Sequence, residues 1–174
     1  MNIPASSIQH TNFSINCNGR LVDLNTPKIM GILNLTPDSF SDGGKFNNEK
    51  SALLHAEKLL KDGADFIDIG AQSTRPNAEY LSAEEEIRRI GNVISLIKKE
   101  FPEALISIDT FYADVVKFGY NEGMDVVNDI SGGYFDENLL PTVAETRLPY
   151  ILMHSNTSYA TMQKKIHYDD ITMS

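Results

Sequence analysis

Five short apolar segments recur along the chain, each closed by a polar cluster, and this recurrence restricts the fold more than any other feature. They occupy residues 28–35, 65–70, 104–109, 125–130 and 149–154. All five are too continuously apolar to alternate in the manner of a half-buried strand. They therefore read as strands of a parallel sheet covered on both faces.

Amphipathic stretches separate them. Ala52, Leu53, Ala56, Leu59 and Leu60 share one helical face, with a stop signal at Gly63. Ile87, Ile90, Val93, Ile94 and Ile97 form a second stripe, and Ser82-Ala-Glu-Glu85 ahead of it reads as a capping box. A third helix is expected over 112–121, ending at Gly123. A fourth is expected from Asp136, with Leu139, Leu140, Val143 and Ala144 buried. Before residue 28 the pattern changes: 14–17 and 20–24 flank Asn18-Gly19, which predicts a β-hairpin with a tight turn.

The order is a hairpin followed by β-α-β-α-β-α-β-α-β, which suits either an open doubly wound sheet or a (β/α)8 barrel. A whole barrel takes about 250 residues. This chain of 174 residues supplies five strands and ends in what reads as the opening of another helix. Two units are expected: an N-terminal segment, 1–27, with the hairpin, and 28–174 as the main α/β body.

Charge and cysteine content narrow the function. The formal charge is −9, from 15 Lys and Arg against 24 Asp and Glu. With no basic cluster, binding of nucleic acid by bulk charge is not expected. The single cysteine, Cys17, excludes an internal disulfide framework and a cysteine-based zinc site, and reads as a small buried apolar residue. No apolar run is long enough for a bilayer, and the start lacks the pattern of a signal peptide. The expectation is a cytoplasmic protein with no membrane partner.

The polar clusters all follow strands: Asn34 with 36–40, Gln72-Ser-Thr-Arg75, Asp109-Thr110, Asn128-Asp129 and His154. In a parallel α/β fold the strand C-termini share one edge, and ligands bind there. Asp109 and Asn128 come from neighbouring strand ends. A carboxylate accepts two N–H bonds side by side, and a carboxamide offers one donor and one acceptor. The pair suits a flat amino-pyrimidinone edge such as a pterin or guanine; the competing reading is that Asp109 caps the following helix. Ser73-Thr74-Arg75 combines hydroxyls with a guanidinium, which is phosphate chemistry, or else forms a surface loop. Asn34 offers a neutral oxygen of the kind Mg²⁺ takes alongside water and phosphate, or forms a turn. Residues 36–44, with a Gly-Gly pair and Phe40, read as a closing loop or a plain connection. His154 is either a packed or a catalytic residue; His10, His55 and His167 lack ligand spacing.

These residues resemble dihydropteroate synthase. The stretches are Met30-Gly-Ile-Leu-Asn-Leu-Thr-Pro-Asp-Ser-Phe-Ser-Asp-Gly-Gly44, Asp68-Ile-Gly-Ala-Gln-Ser-Thr-Arg-Pro76, Ser107-Ile-Asp-Thr110, Val127-Asn-Asp-Ile-Ser131 and Leu152-Met-His154. The resemblance implies a (β/α)8 TIM barrel, here its first five βα units. It also implies condensation of 6-hydroxymethyl-7,8-dihydropterin pyrophosphate with p-aminobenzoate, giving 7,8-dihydropteroate and pyrophosphate with Mg²⁺ present. On that basis Asp109 and Asn128 bind the pterin, with Met153 packed near it. Thr74 and Arg75 handle the pyrophosphate, and Asn34 ligates Mg²⁺. Asp38, Ser39 and Phe40 belong to a loop that orders over p-aminobenzoate.

Two departures stand out: Asn77 replaces the family's usual Gly after Arg-Pro, and Ser155-Asn-Thr-Ser-Tyr159 replaces its usual Met-Gln-Gly-Thr-Pro. The family's later strands carry a further pterin carboxylate, a Lys, and an Arg-x-His pair for pyrophosphate; its later helices form a homodimer surface. None of these has a counterpart in the 174 residues. The chain by itself is therefore expected to be poorly stable and inactive in turnover. The alternatives are the pterin-binding barrel of a methyltetrahydrofolate methyltransferase and a shortened, non-catalytic pterin-binding protein.

Overall fold

The computed structural model describes residues 13–35, 45–72 and 80–153. Asn18 and Gly19 both adopt positive φ, 51° and 92°. That is the pair a type I′ turn requires, and it matches the twist of the strands it joins. The turn connects β1 (Ser14–Cys17) to β2 (Arg20–Asp23) in the expected antiparallel hairpin.

The main body runs β3 (Met30–Asn34), α1 (Lys45–Lys61), β4 (Phe66–Gly70), α2 (Ala83–Ile90), α3 (Val93–Glu100), β5 (Leu105–Asp109), α4 (Ala113–Glu122), β6 (Val126–Asp129), α5 (Leu139–Thr146) and β7 (Tyr150–Leu152). Its five strands pair in parallel and in chain order, β3-β4-β5-β6-β7. A doubly wound sheet reverses its strand order at a switch point and carries helices on both faces. Neither feature occurs among the described residues, and the helices cover one face only. The arrangement is that of a barrel wall.

Strand alternation divides the sheet chemically. On the outer face Leu33, Ile67, Ile69, Ile106, Ile108 and Val127 pack with Ala52, Ala56, Ile94, Ile97, Val115, Val116 and Leu139 from the helices. On the inner face Phe66, Leu105 and Val126 pack with Cys17 and Val22, with Ile15 and Met30 against them. The hairpin thus closes the N-terminal end of the inner face. Cys17 is 1% exposed, and burial pushes its thiol up to about 11, so it stays protonated and acts as the apolar residue expected.

Three expectations need correction. Only the central strands are buried on both faces: β3 and β7 flank the described sheet and leave Ile32 (60%), Ile151 and Leu152 exposed. The second apolar stripe spans two helices, because Gly91 takes φ 49° and breaks the run between α2 and α3. Its face nevertheless continues across the break through Ile90, Val93, Ile94 and Ile97, all buried. In α5 the buried face is Leu139, Thr142 and Val143, whereas Leu140 is 48% exposed and Ala144 is exposed. That helix begins three residues later than expected, and its buried face follows the i, i+3, i+4 spacing of Leu139, Thr142 and Val143.

Candidate functional site

Parallel pairing aligns the strand ends in rows. Asn34 pairs with Gly70, Gly70 with Asp109, and Asp109 with Asn128. Paired residues in neighbouring strands share a face, so this row lies on the inner face. It stands above the row of Ile32, Asp68, Ser107 and Val126 and the hairpin-covered apolar layer. The inner face is therefore apolar below and polar at the C-terminal edge, as the positions of the sequence clusters predict.

Asp109 does not cap the helix that follows it. The free N–H of Ala113, at the start of α4, donates instead to Asp136 Oδ2 at 2.8 Å. The competing reading of Asp109 is thereby removed, and its carboxyl remains on the inner face. Burial, reinforced by the charges of Asp68, Glu86 and Asp129, raises Asp109 to about 7. Such a carboxylate gains by meeting N–H donors that compensate its lost water.

Asn128 Nδ2 donates to Asp68 Oδ2 at 3.1 Å, so the bond runs from β6 to β4 across β5. Beneath it lie two buried oxygens without a partner among the described residues, Asp68 Oδ1 and Ser107 Oγ. Gly70 is the small member of the top row. A Cβ there would stand 3.1 Å from Asn34 Oδ1 and 3.9 Å from Asp109 Oδ2, so the Asn34 amide and the Asp109 carboxyl both lean over the glycine.

A second polar network ties the strand ends together from the helix side. Glu86 on α2 is completely buried and accepts from Thr110 Oγ1 at 2.8 Å and from Gln72 Nε2. Gln72 Oε1 in turn accepts from the Leu81 N–H at 3.1 Å. Burial raises the Glu86 carboxyl above the usual range, against the pull of these two donors. Asp129 points to the same side: Ser131 N, Gly133 N and the Tyr150 hydroxyl all donate to it. Asp129 thus shapes the loop after β6, while its neighbour Asn128 faces inward.

Of the sequence candidates, Asn34, Asp109 and Asn128 come together in one row. Met153 follows β7 two residues after Ile151, the partner of Asn128, and its N–H donates to Asp129 O at 3.2 Å. Asp38, Ser39, Phe40, Thr74, Arg75 and His154 lie outside the described residues. Sequence reading missed the roles of Asp68, Ser107 and Glu86. A signal existed for the first two, since each is the lone polar residue inside an apolar strand, two positions before a row residue. Glu86 gave none, because an acidic residue in the first turn of a helix is ordinary.

A family model described as "Pterin binding enzyme" matches residues 30–174. The chain belongs to the pterin-binding enzyme family. Within it, the folate synthesis bifunctional protein of Arabidopsis thaliana mitochondria is 46% identical over 84% of this chain and 27% of its own length. The dihydropteroate synthase of Haemophilus influenzae is 42% identical over 88% of this chain and 55% of its own. Among solved structures, the Xanthomonas albilineans dihydropteroate synthase with 4-aminobenzoic acid superposes with a TM-score of 0.76 at 38% identity, covering 90% of this chain and 54% of that one. The pterin-binding enzyme chain thus spans about half the length of these synthases and about a quarter of the bifunctional relative. Its sheet corresponds to part of their barrel, which settles the architecture left open by element order alone. Among the described residues, no helix is long and apolar enough to cross a membrane.

Proposed function

We propose that this chain carries the pterin-binding part of a dihydropteroate synthase. The observation that carries the reading is the placement of Asp109 and Asn128 side by side on the inner face, with Asp109 held near 7 by burial. The two N–H groups of an amino-pyrimidinone edge satisfy such a carboxylate in a bidentate manner, and the Asn128 carboxamide matches the adjoining donor and acceptor. The heterocycle then rests on the polar row, above the apolar layer that the hairpin closes. Relatives named as synthases favour this reading over a methyltransferase barrel.

The substrates are 6-hydroxymethyl-7,8-dihydropterin pyrophosphate and p-aminobenzoate. Thr74 and Arg75 bind the pyrophosphate, Asp38 and Phe40 belong to the loop over p-aminobenzoate, and Met153 packs near the pterin. The C–O bond to pyrophosphate breaks with its electron pair leaving on oxygen. The aromatic amine then attacks the methylene carbon and gives up a proton. Asp109 keeps the ring in place while electron density is withdrawn from it. Asn34 Oδ1, a single neutral oxygen at the β3 end of the row, fits a Mg²⁺ that retains water and shares phosphate oxygens, and does not fit an all-protein cage. When bound, that ion would neutralise charge building on the leaving pyrophosphate.

In the family, turnover also draws on a Lys, an Arg-x-His pair and a second carboxylate on later strands, and the 174 residues supply the pterin-binding part of that site. The enzyme that includes them is a cytoplasmic homodimer. Calorimetric titration with the pterin pyrophosphate, Mg²⁺ and p-aminobenzoate, run beside methyltetrahydrofolate, tests the reading. Heat with the pterin pyrophosphate and none with methyltetrahydrofolate is expected; the reverse pattern would overturn it.

A further inference from the structure

We propose that Asp68 is a positioning residue that fixes the orientation of the Asn128 carboxamide, and through it the choice of heterocycle. The inference rests on the pterin reading of the site and adds to it a determinant of ligand discrimination.

A carboxylate has only acceptors to offer, so the amide end that faces Asp68 must be the nitrogen. Turning the Asn128 amide over would set its oxygen against the Asp68 oxygen, 3.1 Å away, in a buried setting where such repulsion is weakly screened. Asp68 is 9% exposed, and its other oxygen, Oδ1, has no partner among the described residues. Asn128 is thus the one hydrogen-bond donor to this buried carboxylate among those residues, which makes the wrong orientation costly. The geometry also depends on Ser107. It lies on β5 in the same row as Asp68, between the two strands that the bond joins, and its side chain is small.

With one N–H committed to Asp68, Asn128 keeps an oxygen and one N–H for the ligand. Its pattern then matches an amino-pyrimidinone and mismatches the dioxo analogue, in which an oxygen replaces the 2-amino group. A site that pairs a ligand N–H rejects an analogue lacking it, because the buried acceptor is left alone. An amide free to turn over could serve either ring.

The test compares the 174-residue chain with D68V and D68N. Valine suits a buried strand and accepts no hydrogen bond, whereas asparagine keeps an acceptor oxygen; circular dichroism establishes that each variant folds. The first readout needs no ligand. In proton–nitrogen correlation spectra, the Asn128 side-chain amide should show one bonded, slowly exchanging proton in the parent and in D68N, and lose it in D68V. The second readout is the affinity for 6-hydroxymethylpterin divided by that for its 2,4-dioxo analogue. This ratio should fall about tenfold or more in D68V, equivalent to about 1.4 kcal/mol, and stay within about threefold in D68N.

An unchanged Asn128 amide in D68V would overturn the proposal, as would equal weakening of both ligands with the ratio preserved, which is what a merely structural Asp68 would give. If the parent chain binds neither ring, the pterin reading falls, and the amide spectrum alone decides whether Asp68 orients Asn128.

Discussion

Asp109 and Asn128 occupy paired positions on β5 and β6, and the helix-capping duty adjacent to them falls to Asp136 from another loop. The sheet thus presents an acid and an amide together while relieving the acid of helix capping. D109A should weaken pterin binding by about a hundredfold or more, and N128A by about tenfold, the costs of losing a charge-assisted and a neutral hydrogen-bonding group. Calorimetry on folded variants measures both.

Binding should depend on pH through Asp109. The free carboxyl titrates at about 7, and the ionised form accepts the ring N–H groups. Affinity should therefore rise about tenfold per pH unit up to about 7 and level off above it. D109N should abolish this slope along with most of the affinity. A slope of the opposite sign in the parent would mean that the protonated acid is the binding form.

The same carboxyl costs stability. Its folded value lies above the 3.8 of an ordinary Asp carboxyl, so between those values the folded state holds a proton that the unfolded state has lost. Stability accordingly declines as pH rises through that interval, and the penalty is complete above about 7. D109N should raise stability by up to about 4 kcal/mol at pH 8 and have little effect at pH 4. Denaturant titrations at the two pH values check the sign.

Gly70→Ala tests the top row without touching a charge. The new methyl would lie 3.1 Å from Asn34 Oδ1, tight enough to displace an exposed amide by a few tenths of an ångström. Stability should change by less than about 1 kcal/mol, whereas Mg²⁺-dependent binding of the pterin pyrophosphate should fall and binding of the plain pterin should not. Equal loss for both ligands would count against Asn34 as the Mg²⁺ ligand.

Glu86 is predicted to matter for folding more than for contact with ligand. E86A leaves the donors of Gln72 and Thr110 buried without an acceptor and should cost about 2–4 kcal/mol. E86Q should cost less. Because burial raises the Glu86 carboxyl, the parent loses stability as pH rises through its titration, and the cost of E86Q relative to the parent should shrink over that range. Melting curves across pH report this difference.

Local chemistry in the chain was enough to locate the hairpin turn, the five strands and the polar residues at their ends. Asn18-Gly19 can take the required φ angles regardless of surroundings, and a strand followed by a polar cluster marks the sheet edge wherever the sheet closes. Local sequence does not reveal which side each polar residue faces, nor what it faces across the sheet. Asn128 and Asp129 are adjacent in the chain, yet one meets Asp68 on the inner face and the other anchors a loop on the outer face. Asp68 and Asn128 are 60 residues apart, and only the register of three paired strands brings them together. Glu86 likewise looks like any acid in the first turn of a helix until packing buries it against two strand ends. Turns and periodicities arise from interactions within a few residues, so the sequence carries them directly. Burial, register and the partner across a sheet are properties of the assembled wall, and tertiary structure alone determines them.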